Sequence, residues 1–343
     1  MSHHTKIRKT YNYLISAVIL LVTWGFIYHR VFHKSDLQET WIIFTGLLGK
    51  PKIQLLFILA LILVPVNWGL ETAKWKYLVA KIEKVSFIKS FEAVLTGVSV
   101  STFTPNRIGE YFGRIFILEK ASRIEGILIT ILGSMSQLLI TILTGTFCLI
   151  IFIPAFFGNT ILTTGYFYYG MMSLAIAIDV LLLLLYFNIS FLSRLNGTIV
   201  KKWFRKFRKF LAVFSYYNGK ELCWVISMSF LRYLVFSMQY YILLQMFSVP
   251  VPLMHALVII PVVFFVISAV PSIALTDLGI RGSIALYFFT LYFEKFDIHD
   301  PAVTIGILSG STLLWAINIA LPALTGSVFL FRLKFFRRNG NGK

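Results

Sequence analysis

Residues Phe91–Lys120 read FEAVLTGVSVSTFTPNRIGEYFGRIFILEK. The first part, Phe91 to Phe103, is mildly apolar and carries Ser, Thr and Gly; at thirteen residues it falls short of the roughly 20 needed to cross a bilayer. It runs into Thr104-Pro105-Asn106, where a proline ends a helix. A polar helix follows, Arg107-Ile108-Gly109-Glu110-Tyr111-Phe112-Gly113-Arg114, continuing toward Lys120. Such a pair reads as a helical hairpin that enters from one side, turns at Pro105 and returns.

The rest of the chain supplies the apolar surroundings that a hairpin of this kind needs. Of 343 residues, 58% are apolar and 13% are charged, against about 25% charged in an ordinary soluble domain. Mean hydropathy is +0.81. Too few polar side chains are present to cover a water-facing surface, which excludes a soluble enzyme and intrinsic disorder. The two cysteines, Cys148 and Cys223, sit inside apolar runs, so this is no disulfide scaffold. A polytopic membrane protein remains. Its apolar runs are continuous rather than alternating, which selects helices over barrel strands. The expected fold is all-α: about six full transmembrane helices plus two broken re-entrant hairpins in an inverted-repeat arrangement, forming one domain over residues 1–343.

The net charge of +18 suggests nucleic acid until the charges are located. Lys and Arg fall in blocks between apolar runs: Lys74 to Lys89, Arg194 to Lys220, and the tail from Arg332. Arg30, Lys34, Lys50, Lys52 and Lys295 fall on the other side. That is a membrane-topology signature, so no nucleic-acid partner is expected, and both termini are placed in the cytoplasm. Tyr11–Tyr28 reads as an uncleaved signal anchor, because no small-x-small cleavage site follows it. Further spans are Ile53–Leu70, loosened by Pro65, then Ile127–Ile153, Tyr166–Phe187, Leu222–Phe247 and Ala302–Phe331. Pro154–Gly165 suits an outer loop. Thr198–Phe214 is basic and amphipathic, suited to the inner leaflet.

A second broken element follows. Met254–Val270 enters from outside and meets Pro271. Then come Thr276-Asp277-Leu278-Gly279-Ile280-Arg281-Gly282 and a short helix, Ser283–Phe293. Each half of the chain, roughly 11–157 and 160–331, carries two spans, a hairpin broken at a proline, and one more span. Three crossings per half invert the second half relative to the first, a transporter architecture.

Arg107, Glu110 and Arg114 are spaced i, i+3, i+7, hence on one helical face. On an insertion scale each charge at the bilayer centre costs about 2.5–3.5 kcal/mol, so they must face a cavity, one another, or the cytoplasmic interface. Arginines suit a phosphate-bearing headgroup because the guanidinium donates in pairs; surface ion pairs on a juxtamembrane helix are the plainer reading. Asp277 and Arg281, at i, i+4, either pin the second hairpin or help surround the same anion. Candidate headgroup contacts are therefore Arg107, Glu110, Arg114, Asp277, Arg281, Glu71 and Asn106. Candidate hinges are Pro105, Gly109, Gly113, Pro271, Gly279 and Gly282. Arg232 and Gln239 should face the bundle interior, with an inter-helix hydrogen bond as the default. No metal or nucleotide motif is present, and no catalytic residue, cofactor or metal is expected.

At Thr104–Tyr111 and Ala274–Gly282, and in Asn67-Trp68 with Lys74-Trp75, the sequence resembles the lysylphosphatidylglycerol synthetase transmembrane-region family, flippase-like proteins related to the lipid-flipping domain of the multiple peptide resistance factor. Asn106 stands where that family usually has Gly. Gly282 stands where it usually has an acid, with Asp277 as the nearest substitute. The resemblance implies a stand-alone transporter of a phospholipid or polyprenyl-phosphate lipid in a bacterial inner membrane. No aminoacyl-transferase domain is expected after Phe331, so synthetase activity should be absent. The alternatives are an intramembrane enzyme using Glu110 or Asp277 on a lipid-linked substrate, and a membrane partner that presents lipid to an enzyme encoded elsewhere.

Overall fold

The computed structural model describes residues 45–102, 104, 107–157, 165–189, 212–271 and 274–332, with scattered positions between 11 and 25. Every regular element among the described residues is a helix.

α1, Pro51–Val79, has Pro at its first turn, where the missing N–H is no loss. It runs 29 residues and passes straight through Pro65. The end expected at Leu70 is therefore too early. Glu71 and Lys74 prolong the helix instead of leaving the membrane, because each finds an opposite charge inside the protein. α2, Phe87–Ser101, begins at Ser86, whose Oγ accepts from the Lys89 N–H at 3.3 Å. α3, Gly109–Ile115, doubles back along α2 to complete the first hairpin. It stops short of the expected Lys120. Pro105 and Asn106, where the turn is expected, lie outside the described residues.

α4, Arg123–Phe156, continues through Pro154, so the expected outer loop starts later than that proline. α5, Gly165–Phe187, follows. The amphipathic segment expected at 198–214 falls largely outside the described residues; its last three positions open a short 3₁₀ turn, Ala212–Tyr216. α6, Gly219–Met246, starts with a reciprocal cap: Asn218 Oδ1 accepts from the Glu221 N–H at 3.0 Å, and the Glu221 carboxylate accepts from the Asn218 N–H at 2.9 Å.

α7, Leu253–Ala269, ends before Pro271, as expected. α8, Ala274–Lys295, corrects the expectation for the second hairpin. The helix expected to begin at Ser283 already includes Thr276–Gly282, with Asp277 and Arg281 paired across one of its turns at 2.9 Å and the glycines one or more turns inside. α9, Pro301–Trp315, passes through a π-helical turn, Ala316–Ala320, into α10, Leu321–Phe329.

Among the described residues, five stretches are long and apolar enough to cross a membrane: α1, α4, α5, α6 and α9 with α10. They match five of the expected spans. The sixth, Tyr11–Tyr28, is described only in part; its described residues up to Gly25 are helical, and Trp24 Nε1 donates to Ser327 Oγ at 3.0 Å on α10.

α1 and α6 pack along each other at the centre. α4 lies along α7, and α10 along α2. Both of these contacts are close because a glycine faces the partner: a Cβ on Gly145 would strike Phe265, and one on Gly326 would strike the Leu95 carbonyl and Ser99. The segment joining α3 to α4 is tied down by Glu83. Its carboxylate accepts from the N–H groups of Glu119 at 3.0 Å and of Lys120 and Ala121 at 2.8 Å. α3, only seven residues long, is thereby tied down beyond its C-terminal end.

Candidate functional site

A chain of opposite charges crosses the middle of this bundle. Glu71 on α1 is at its centre: Oε1 is 2.8 Å from Arg114 Nη1 of α3, and Oε2 is 2.9 Å from Lys74 Nζ and 3.2 Å from Arg232 Nη1 of α6. Arg114 also pairs with Glu110 one turn earlier on α3, and Glu110 in turn lies 3.8 Å from Arg107. Lys74 donates to Ser229 Oγ at 3.3 Å, and Ser229 bonds Ser136 on α4 at 2.8 Å. Arg232 donates to Gln137 Oε1 at 3.3 Å and stacks 5.3 Å over the Trp68 ring. Lys74, Glu71 and Arg114 are buried, and burial of these charges is tolerable because each is paired.

Arg107, Glu110 and Arg114 do come together, but not as one helical face. Arg107 precedes α3 and has φ of 58°, the left-handed region. Its side chain is 42% exposed, against 2% for Arg114.

The exposed edge of this network opens into a cavity of about 430 Å³. Arg107 from the first hairpin, Arg232 from α6, and Asp277 with Arg281 from the second hairpin all line it, as does Pro271. Arg281 Nε donates to Asp277 Oδ2 at 2.9 Å, so Asp277 offsets one of the three guanidinium groups. Counting the buried layer, the cations Lys74, Arg107, Arg114, Arg232 and Arg281 face Glu71, Glu110 and Asp277, which leaves an excess of two positive charges. Arg232 Nε and Trp68 Nε1, buried atoms of two residues that line the cavity, find no hydrogen-bond partner among the described residues. An anion entering here would meet the guanidinium groups of Arg107, Arg232 and Arg281.

Asn67 and Asn318 also line the cavity and begin an amide relay that runs away from it. Asn67 donates to Asn318 Oδ1 at 3.0 Å, Asn318 to Gln239 Oε1 at 2.9 Å, and Gln239 to the Ala60 carbonyl at 2.7 Å. Asn318 sits in the π-helical turn, a local widening that recurs at functional sites. Gln239 and Arg232 therefore face inward, as expected, although Arg232 makes far more than one inter-helix hydrogen bond.

The glycines divide. Gly113 lies on Gly97 of α2, where a Cβ would come 2.6 Å from Cα, and Gly109 lies on the Val100 carbonyl and Thr104. These two pack α3 onto α2. Gly279 and Gly282 are within α8, away from the break at Pro271. A Cβ added at Gly279 would meet nothing within 4 Å, and one at Gly282 would meet Leu308 at 3.2 Å. Asn106 and Pro105 lie outside the described residues.

Sequence reasoning missed Lys74 and underrated Arg232. The signal for Lys74 is its i, i+3 spacing from Glu71, which puts both on the same face of α1 as Asn67 and Trp68.

Comparison with curated proteins and with solved structures finds no match. The family model described as the lysylphosphatidylglycerol synthase TM region matches residues 11–292, which include both hairpins and every charged residue of the cavity; the chain belongs to that family.

Proposed function

We propose that the chain binds the anionic headgroup of a membrane lipid in the cavity between its two hairpins and moves it between leaflets, without covalent chemistry. The observation that carries this is the convergence of Arg107, Arg232 and Arg281, from three separate elements, on one cavity in a bundle of span-length helices. An unpaired charge inside a bilayer is costly, and an excess of two positive charges is balanced when a phosphate-bearing group enters.

The helix contacts support reading the bundle as two inverted halves, 11–157 and 160–331. Exchanging α1 with α6, α2 with α7, and α4 with α9–α10 maps the α4–α7 contact onto the α10–α2 contact and leaves the α1–α6 contact in place. Gly145 and Gly326 are then equivalent close-approach points. Rocking one half against the other would open the cavity to either leaflet in turn. In this reading the membrane is the bacterial inner membrane, both termini are cytoplasmic, and an enzyme that modifies the lipid headgroup is a natural partner.

The test is reconstitution into vesicles carrying a fluorescent phosphatidylglycerol, with a membrane-impermeant quencher reporting transfer between leaflets. Accelerated transfer that falls in Arg232→Gln and Arg281→Gln supports the reading. Transfer no faster than in empty vesicles, with and without a proton gradient and with zwitterionic as well as anionic lipid, sinks it.

A further inference from the structure

Asp179 is the one charged residue of α5, with Leu174–Ile178 before it and Val180–Leu185 after it. An apolar run on both sides keeps the carboxyl group within the span. α5 packs along α4, and Asp179 is buried in line with Met172 and Tyr186, seven residues away on either side. Thr146 Oγ1 of α4 donates to Asp179 Oδ1 at 3.4 Å, a long bond, and Asp179 has no further partner among the described residues. α4 bears no charged residue from Gly126 to Phe156; the titratable group near Thr146 is the Cys148 thiol, which donates to the Leu257 carbonyl. On α5 the titratable groups toward α4 are the phenols of Tyr186 and of Tyr168, the latter donating to the Ile150 carbonyl. Glu71 and Glu110, by contrast, are each paired with Arg114. Among the described residues Asp179 meets no cation, and an unpaired carboxylate inside a bilayer is expensive.

Attaching α5 does not require an acid. With Gly145 and Gly326 equivalent in the inverted halves, Thr146 is equivalent to Ser327, and α5 to the first helix. There Trp24 Nε1 donates to Ser327 Oγ at 3.0 Å. The same hydroxyl position is thus held by a neutral indole. Both bonds also join the halves, since Thr146 belongs to the first and Asp179 to the second. Asp179 therefore puts a group with two charge states at a contact that changes when one half rocks against the other. The neutral acid can donate to the Thr146 hydroxyl and stay in apolar surroundings, whereas the anion needs water or a cation.

We propose that Asp179 is a proton-binding site that couples lipid movement to the transmembrane proton gradient. One proton from water on one side joins an Asp179 carboxylate oxygen, is carried while the α4–α5 contact is closed, and returns to water on the other side when the halves rock. This rests on the transport reading above and deepens it by naming the coupling ion.

Two measurements on the full chain in phosphatidylcholine vesicles test this. The first is labelling by dicyclohexylcarbodiimide, a hydrophobic reagent. A carboxylic acid gives its proton to a carbodiimide nitrogen and its oxygen to the central carbon, and the adduct rearranges to a stable N-acylurea with nothing lost. Peptide mapping should find Asp179 carrying one whole reagent molecule, attached faster at acid than at alkaline pH. The second is transfer of fluorescent phosphatidylglycerol with the membrane potential clamped. Each pH unit of gradient, imposed in one orientation, should speed transfer by up to about tenfold. Asp179→Asn should respond to neither orientation, and Asp179→Glu should restore the response. An Asp179 left unlabelled at every pH, wild-type transfer equally fast with and without the gradient, or a gradient response that survives Asp179→Asn overturns the proposal and leaves the headgroup reading intact. Transfer no faster than in empty vesicles overturns both.

Discussion

Glu71 Oε1 lies 2.8 Å from Nη1 of Arg114, with both side chains buried, so a single ion pair ties spanning helix α1 to the short returning arm of the first hairpin. The other oxygen of the same carboxylate reaches Lys74 and Arg232. One acid thus restrains three cations on three helices.

Removing that charge should be among the most damaging single changes in the molecule. Glu71→Gln leaves Lys74, Arg114 and Arg232 with only Glu110 among them, and breaking a buried pair by removing one partner costs about 3–5 kcal/mol. The expected result is a large drop in melting temperature in detergent. Adding Lys74→Met to Glu71→Gln removes a buried cation whose carboxylate partner is Glu71 and should recover part of the loss, a non-additivity that neutral packing damage would not give.

The glycines of the two motifs should respond oppositely. Gly113→Ala places a methyl group 2.6 Å from the Gly97 Cα and 3.0 Å from the Thr96 carbonyl. Backbone cannot yield cheaply, so overpacking of about 1–3 kcal/mol is expected. Gly279→Ala meets open space within a helix, where alanine is favoured over glycine by about 0.8–1 kcal/mol. Melting curves should show Gly113→Ala falling and Gly279→Ala level or rising. A fall for Gly279→Ala would mean that its flexibility matters, as the sequence alone suggests.

Most of the fold is legible in the sequence because lipid enforces it. Five spans can be bounded to within a turn or so at most ends, since a continuous apolar run of that length has few other uses. Errors fall where side chains find partners that hydropathy does not report. Lys74 looks like the start of a cytoplasmic basic block, yet Glu71 and Ser229 draw it inside and α1 extends with it. The second short helix is expected from Ser283, but it starts nine residues earlier, at Ala274, because Asp277 and Arg281 satisfy each other within it. The i, i+3, i+7 spacing of Arg107, Glu110 and Arg114 brings them into one network, although the positive φ of Arg107 takes it off the helix. Arg232 is visible as a lone charge in a span, but its role depends on helices remote in sequence.

Glu83 offers a test of how α3 is held. Its carboxylate takes three consecutive backbone N–H groups, at 2.8 to 3.0 Å. Hydrogen bonds to a charged group are worth about 1.5–3 kcal/mol each, and one side chain gathers all three. Glu83→Ala should therefore speed hydrogen exchange at Glu119, Lys120 and Ala121 well above any change in the α1 interior. Uniform acceleration across the protein would instead indicate a global loss of stability, and no change would show that the loop is held by other contacts.

Arg107 allows function to be separated from stability. It is the most exposed guanidinium of the cavity, contacts Glu110 only at 3.8 Å, and holds a left-handed backbone. For a non-glycine residue that conformation costs roughly 1–2 kcal/mol, and Asn tolerates it better than Arg. Arg107→Asn should therefore melt at or slightly above the wild-type temperature. It also removes one of three guanidinium groups from the cavity, and a charge-assisted hydrogen bond of about 1.5–3 kcal/mol corresponds to a loss of roughly tenfold or more in anionic-lipid binding. Thermal melts and lipid titrations on the same preparation decide the matter. Undiminished binding of phosphatidylglycerol would remove Arg107 from the headgroup site, while a fall in melting temperature would show that its pairing with Glu110 outweighs the backbone strain.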